Sequence, residues 1–195
     1  MAPVAAELDE QSRFPYELVS ELAELGLMGL PIPEEYGGAG GDTVSYAIAI
    51  EELTRVDSSL AITVAAHTSL GTMPIYLFGN EEQKREWLPK LAAGEGLAAF
   101  GLTEPDAGSD AGATRTKAEL RDGEWMIDGS KIFITNAGTD LTACVTITAR
   151  TGEDEISNIV VPNGAPGYEI SAPMRKMGWR ASDTRELSFE DCRVP

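Results

Sequence analysis

Phe100-Gly101-Leu102-Thr103-Glu104-Pro105-Asp106-Ala107-Gly108-Ser109-Asp110 marks the place where this chain changes character. Before it, apolar residues recur at helical spacing; after Gly96 they alternate with polar ones. The segment closes an apolar run and then gathers Thr, Gly, Ser and Asp around a proline. Short side chains and free backbone N–H groups of this kind suit a polar, anionic ligand held close to the main chain. Some twenty residues on, Phe133-Ile134-Thr135-Asn136 reads as a strand end that sets an aromatic, a hydroxyl and an amide side by side. Together the two segments predict a cofactor bed.

Upstream of the loop the pattern predicts helices. Phe14, Leu18, Leu22 and Leu25 share one face and Glu17, Glu21 and Glu24 another, with Gly26, Gly29, Pro31 and Pro33 ending the helix. Glu34 to Gly41 reads as a flexible, turn-rich connection. Asp42 or Thr43 caps a second helix to about Val56, with Tyr46, Ile50 and Leu53 as its buried stripe. Asp57 or Ser58 starts a third, Ser59 to Leu70, which has no charged face and so belongs inside. Asn80 with Gln83 resembles a capping arrangement for a fourth through Leu91, closed by Gly94.

Downstream, Leu141, Ala143, Val145, Ile147 and Ala149 alternate with Thr142, Cys144, Thr146 and Thr148, the pattern of a half-buried strand. Leu187 and Phe189 alternate with Glu186, Ser188 and Glu190. Asp122-Gly123 and Asp128-Gly129 read as tight hairpin turns, and Asn163-Gly164 and Pro166-Gly167 as further turns. Helices first and antiparallel strands second define an α+β chain in two segregated pieces. The expected division is an N-terminal α-helical domain over residues 1–96 and a domain of antiparallel strands over residues 97–195.

At 195 residues the chain is long enough for a substantial core. Fifteen basic against 32 acidic residues give a net charge of −17, which argues against nucleic acid as a partner. The balance is uneven, and Arg175, Lys176, Arg180 and Arg185 form a basic cluster in the second half, suited to a phosphate or to a solvated edge. Cys144 and Cys192 lie far apart without CxxC spacing, so reduced thiols and a cytoplasmic location are expected. No run approaches the eighteen apolar residues of a membrane helix, and no signal peptide is legible. A Rossmann fingerprint and a Walker loop are absent. His67 is the single histidine, so a metal site or a histidine triad lacks partners, and a buried or ligand-adjacent place on a helix is expected for it. The Asp106/Asp110 spacing fits loop turning better than a paired acid and base.

Thr103-Glu104-Pro105-Asp106-Ala107-Gly108-Ser109-Asp110 resembles the flavin loop of the acyl-CoA dehydrogenase family. Further blocks match in the expected order: Lys131-Ile132-Phe133-Ile134-Thr135-Asn136, then Met177-Gly178-Trp179-Arg180-Ala181-Ser182-Asp183-Thr184-Arg185, then Phe189-Glu190-Asp191-Cys192-Arg193-Val194-Pro195. Upstream, Gly26 to Gly38 and Gln83 to Leu91 also fit, so the resemblance covers nearly the whole chain.

The resemblance implies that the strands over residues 97–195 form an antiparallel β-barrel-like domain, and it implies FAD as cofactor, an acyl-CoA thioester as substrate and an electron-transfer flavoprotein as electron acceptor. It implies that Phe100, Leu102 and Thr103 meet the pyrimidine side of the flavin, and that Gly108 and Ser109 lie at the pyrophosphate and the acyl-CoA chain. Phe133, Ile134 and Thr135 would lie beside the flavin, with Thr135 donating towards N5; Ser182 would contact the CoA portion. Thr63, Ala66 and Leu70 would form the base of the acyl pocket. Similar enzymes carry the catalytic glutamate in a C-terminal helical bundle, expected to lie beyond Pro195, so no residue here is assigned as the base and the chain alone is expected to be inactive. They also have a further helix before the stretch that begins this chain, and they assemble into homo-oligomers. Left open are an acyl-CoA oxidase or flavin monooxygenase on the same fold, and a non-catalytic acyl-CoA-binding subunit.

Overall fold

The computed structural model describes every residue from Met1 to Pro195. Helices fill the chain up to Ala92: α1 (Ala5–Gln11), α2 (Tyr16–Glu24), α3 (Thr43–Val56), α4 (Ser58–Ala65), α5 (Met73–Phe78) and α6 (Glu81–Ala92). The caps explain most of the starts. Asp42 accepts the Ser45 N–H at the head of α3, and Asp57 accepts those of Ser59 and Leu60 at the head of α4. Asn80 and Gln83 form a reciprocal capping box on α6. Helix α2 begins only after Pro15, which leaves Phe14 before it and Leu25 just past its end, 73% exposed; the buried face is Leu18, Val19 and Leu22. On α3 only Leu53 is fully buried, and Tyr46 and Ile50 are partly covered. The Gly37–Gly41 run is ordered rather than flexible. Its backbone N–H groups donate back onto residues 29–34.

The third predicted helix is longer than its sequence suggests. Instead of stopping near Leu70 the chain passes through a π-helical turn, Ala66–Thr72, straight into α5. The result is one rod, Ser58–Phe78, of 21 residues with an 18-residue stretch of mean hydropathy 1.2, long and apolar enough by length and composition to cross a bilayer. The expectation that no run reaches that length is therefore corrected. The rod is packed inside the protein as a core helix, with 56% of its 18-residue apolar stretch buried. Gly71 does not end it because that glycine serves a tertiary contact: a β-carbon there would stand 2.5 Å from the Ala98 carbonyl.

Seven strands follow: β1 (Leu97–Gly101), β2 (Lys117–Arg121), β3 (Glu124–Thr135), β4 (Thr142–Arg150), β5 (Ile156–Pro162), β6 (Tyr168–Ile170) and β7 (Thr184–Val194). They form one curled sheet in the order β1-β4-β2-β3-β7-β6, with β5 on β4. The α+β class holds, but the sheet is mixed. The β1–β4 and β2–β4 pairings are parallel and the other four antiparallel. Asp122 and Gly123, both at positive φ, make the β2–β3 hairpin turn as predicted. Asp128-Gly129 is not a turn. It is a bulge within β3, where the register against β7 shifts and Gly129 (φ 148°) passes so close to Thr116 that a β-carbon would meet its Oγ1 at 2.5 Å. Strand β4 is buried on both faces rather than half-buried. Val145, Ile147 and Ala149 join the sheet core, while Cys144 packs with Trp87 and Leu91 beneath the helices. Both cysteines are buried free thiols.

Three apolar clusters meet at β1. Leu97 belongs to the helical core with Leu8, Val19, Met28, Leu60 and Val64; Ala98 sits with Trp87, Leu88 and Leu91; Ala99 joins the sheet core. His67 fastens this seam. Its Nδ1 accepts the Ala98 N–H at 3.0 Å, which leaves Nε2 as the protonated nitrogen donating to the Leu91 carbonyl at 3.1 Å. The imidazole is fully buried, and that burial holds it neutral with a pKa lowered to about 4.

Below pH 6.5 the unfolded chain takes up a proton at His67 that the native state refuses until about pH 4. Stability present above pH 6.5 should therefore fall across that window, by about 3 kcal/mol in full. Urea unfolding midpoints of the wild type and His67→Gln between pH 7 and 4 check this: the wild type should show the steeper decline, and parallel curves would contradict it.

Candidate cofactor and substrate site

The loop after β1 and the end of β3 lie against each other. Ile132 donates its backbone N–H to the Thr103 carbonyl at 2.9 Å. Between Lys131 and Ile134 the β3–β7 ladder slips, and Phe133 takes a left-handed backbone (φ 64°) that turns its ring outward, 64% exposed. Leu102 is exposed as well, and Thr103 and Thr135 are half-buried. None of the hydroxyls of Thr103, Thr135 and Ser109, nor the backbone N–H groups of Leu102, Thr103, Gly108 and Ser109, donates to another group of the chain. Apolar faces beside unpaired donors offer what a flat heteroaromatic ring with carbonyl and phosphate acceptors requires.

A buried ion pair holds these segments together. Lys131 has no exposed surface, and its Nζ lies 2.7 Å from Glu104 Oε1, 2.9 Å from Thr148 Oγ1 and 3.2 Å from the Leu102 carbonyl. Glu104 also accepts the N–H groups of Arg115 (2.6 Å) and Thr116 (3.0 Å). Burial alone would raise the Glu104 carboxyl; the bonds from Lys131 and the two amides outweigh it and hold it below the ordinary range. Burial lowers the Lys131 ammonium, and Glu104 offsets part of that. Glu104 and Ala107 exchange backbone bonds in both directions, which clasps the loop at its base.

Asn136 ties this bed to the rod. With φ 64° and no exposed surface, it donates Nδ2 to the Thr63 carbonyl at 2.9 Å, 73 residues away. The strand end read as flanking a cofactor and the helix read as an acyl wall are thereby in direct contact. Thr63 and Ala66 are both buried, while Leu70, on the π-helical turn, is 51% exposed. Gly108 and Ser109 lie exposed in the loop. Two of the sequence-derived residues present less than their positions suggest. Ile134 points into the sheet core, so only its backbone is available. Ser182 is buried, with its hydroxyl taken by Lys176 and by the Trp179 carbonyl. Phe100 is a half-buried residue of β1. The basic cluster is mostly structural: Lys176 binds Ser182 and Thr184, Arg180 binds Asp9 and Glu10, Arg185 binds Asp183, and only Arg175 stands free. The roles of Lys131, Glu104 and Asn136 were missed by sequence reasoning. A lysine in the middle of a strand and a glutamate before a proline were the available signals.

This arrangement of a helical layer, a curled sheet and a donor-lined loop between them has close counterparts. Residues 1–95 match the family profile described as acyl-CoA dehydrogenase, N-terminal domain, and residues 99–192 that of the acyl-CoA dehydrogenase middle domain. The chain belongs to the acyl-CoA dehydrogenase family, whose members are oxidoreductases. A short-chain specific acyl-CoA dehydrogenase of Clostridium acetobutylicum is 48% identical over 99% of this chain and 52% of its own length. Among solved structures, one described for the electron transferring flavoprotein of Acidaminococcus fermentans contains a chain with a TM-score of 0.95 and 42% identity, covering 100% of this chain and 52% of that one. A glutaryl-CoA dehydrogenase from Mycobacterium smegmatis in complex with FADH2 gives a TM-score of 0.93 at 39% identity, covering 100% and 50%. The chain spans about half the length of the curated relatives it matches.

The Asn136 contact predicts a graded response. Asn136→Gly loses the bond to Thr63 and should cost about 1–3 kcal/mol. Asn136→Ala should cost about 1 kcal/mol more, because a β-carbon disfavours the left-handed backbone. Chemical unfolding of the two variants orders them; equal losses would mean that the backbone there relaxes.

Proposed function

We propose that this chain forms the helical and middle-domain half of an FAD-dependent acyl-CoA dehydrogenase. The overall reaction is α,β-desaturation of an acyl-CoA thioester, with electrons passed on to an electron-transfer flavoprotein. The observation that carries this reading is the junction of two surfaces. The unpaired donors of Leu102, Thr103 and Thr135 lie on one side, and on the other lies the buried rod, whose Thr63 carbonyl accepts the side-chain amide of Asn136, the residue next to Thr135. The family membership and the relative described with FADH2 support it.

When bound, the flavin supplies hydride acceptance. What the chain's residues contribute is orientation and charge stabilisation. Leu102 and Phe133 offer apolar faces for the ring. Thr103 would hold the flavin through its unpaired N–H and hydroxyl, and fixed donors of this kind would stabilise negative charge gathering on reduction without reorganisation. The Thr135 hydroxyl lies on the neighbouring strand end as a second donor. Gly108 and Ser109, short and exposed, leave room for diphosphate oxygens to approach the main chain. The rod excludes water from one wall of the acyl site through its uncharged face. No carboxylate among these residues is assigned to proton abstraction, and the chain by itself is expected not to turn over.

Titrating the purified chain with FAD and following quenching of flavin fluorescence tests the reading. Saturable binding is expected, together with negligible dye reduction when a panel of acyl-CoA thioesters is added. Absence of flavin binding would remove the proposal, and clear turnover would show that the chain itself carries the base.

A further inference from the structure

Lys131 has the largest fully buried side chain of the molecule and carries a charge that the flavin reading leaves unused. Its ammonium reaches three acceptors, of which one is a main-chain carbonyl at the heart of the site, that of Leu102 at 3.2 Å. A trans peptide is planar, with its C=O and the following N–H pointing to opposite sides. Anchoring the Leu102 carbonyl inward on Lys131 therefore turns the Thr103 N–H outward, and that N–H has no partner in the chain. The next peptide is fixed in its turn. The Thr103 carbonyl takes the Ile132 N–H, and the Glu104 N–H goes to Ala107. A positive charge on the carbonyl end of a peptide also polarises the amide and strengthens the donor at its other end.

We propose that Lys131 is a positioning residue of the cofactor site, one that orients the 102–103 peptide and strengthens the Thr103 N–H as a donor to the bound flavin. Glu104 is the counter-charge that makes the ammonium tolerable in the interior, since a buried unpaired charge would cost several kcal/mol. Thr148, on β4, supplies the third acceptor. The pair thus serves two ends at once: it clasps the loop through Glu104 and sets the direction of one donor through Lys131. The inference rests on the flavin reading for the identity of the ligand and on the chain's own geometry for the orientation of the peptide.

The test compares Lys131→Met, which keeps an unbranched chain without the charge, with Thr148→Val, which removes an acceptor from the same buried ammonium and leaves its contact with Leu102. In the folded 195-residue chain, two-dimensional amide NMR is expected to show the Thr103 N–H displaced in Lys131→Met and unmoved in Thr148→Val, although both lose stability. FAD affinity, read by flavin fluorescence, is expected to fall about tenfold in Lys131→Met and to stay within about twofold in Thr148→Val. A purely structural role would shift both variants in proportion to their loss of stability, and that outcome overturns the proposal. If Lys131→Met does not fold, the wild type decides: on adding FAD, Thr103 should show the largest amide shift in the 102–109 loop, and a silent Thr103 among shifting neighbours overturns the inference. If the wild type binds no FAD, the flavin reading falls by itself. The comparison of Thr103 amides then settles whether Lys131 orients that peptide, an unmoved resonance in Lys131→Met overturning it and a displaced one supporting it.

Discussion

The arrangement depends on how an exposed strand edge is closed. Strand β1 is the last strand on its side of the sheet, and a free edge amide there would invite pairing with another chain. The helical rod lies across it instead. His67 accepts the Ala98 N–H, and the missing β-carbon of Gly71 together with the small side chain of Ala98 lets the two backbones approach closely. Neither a strand partner nor a bulkier residue could do this without lifting the rod away. The loop that carries the donors leaves β1 directly after Gly101, so it inherits its place from that contact.

The electrostatics of the site run against those of the chain as a whole. The protein carries a net charge of −17, yet the groups offered to a ligand are neutral: amides, hydroxyls and apolar faces. Lys131 is turned inward and neutralised by Glu104, and Arg115, on the surface beside the loop, is paired with Asp106. Such a surface can respond to charge that develops during a reaction without pulling permanently charged ligands into the wrong place. The basic residues of the second half, which looked available in the sequence, are spent mostly on holding the 171–185 segment to α1 and to the sheet.

What could be read from sequence was what local chemistry decides. The Asn80/Gln83 box, the Asp42 and Asp57 caps and the Asp122-Gly123 turn depend on residues within four of each other, and they stand where the pattern put them. The helix through Gly71 was not legible, because the reason that glycine is not a stop lies in Ala98. Asp128-Gly129 has the letters of a hairpin, and only the approach of Thr116 and the slip against β7 make it a bulge. Alternation in β1 and β4 carries no information on direction, so their parallel pairing stayed hidden. The loop and strand-end motifs of the site were visible as composition. The Lys131–Glu104 pair and the Asn136–Thr63 bond join residues 27 and 73 positions apart, and no spacing rule reaches so far.

The seam at β1 bears on how this protein could be dissected. Residues 92–97 look like a natural place to cut, since helices end and strands begin there. Yet Leu97 completes the helical core, Ala181 from near the other end of the chain packs into that same core, and Ala98 lies among the side chains of α6. Separating the helices from the strands would strip apolar surface from both halves and leave an edge strand uncovered. The two layers have distinct architectures but share their apolar clusters at β1, so a boundary drawn there cuts through packed side chains rather than between them.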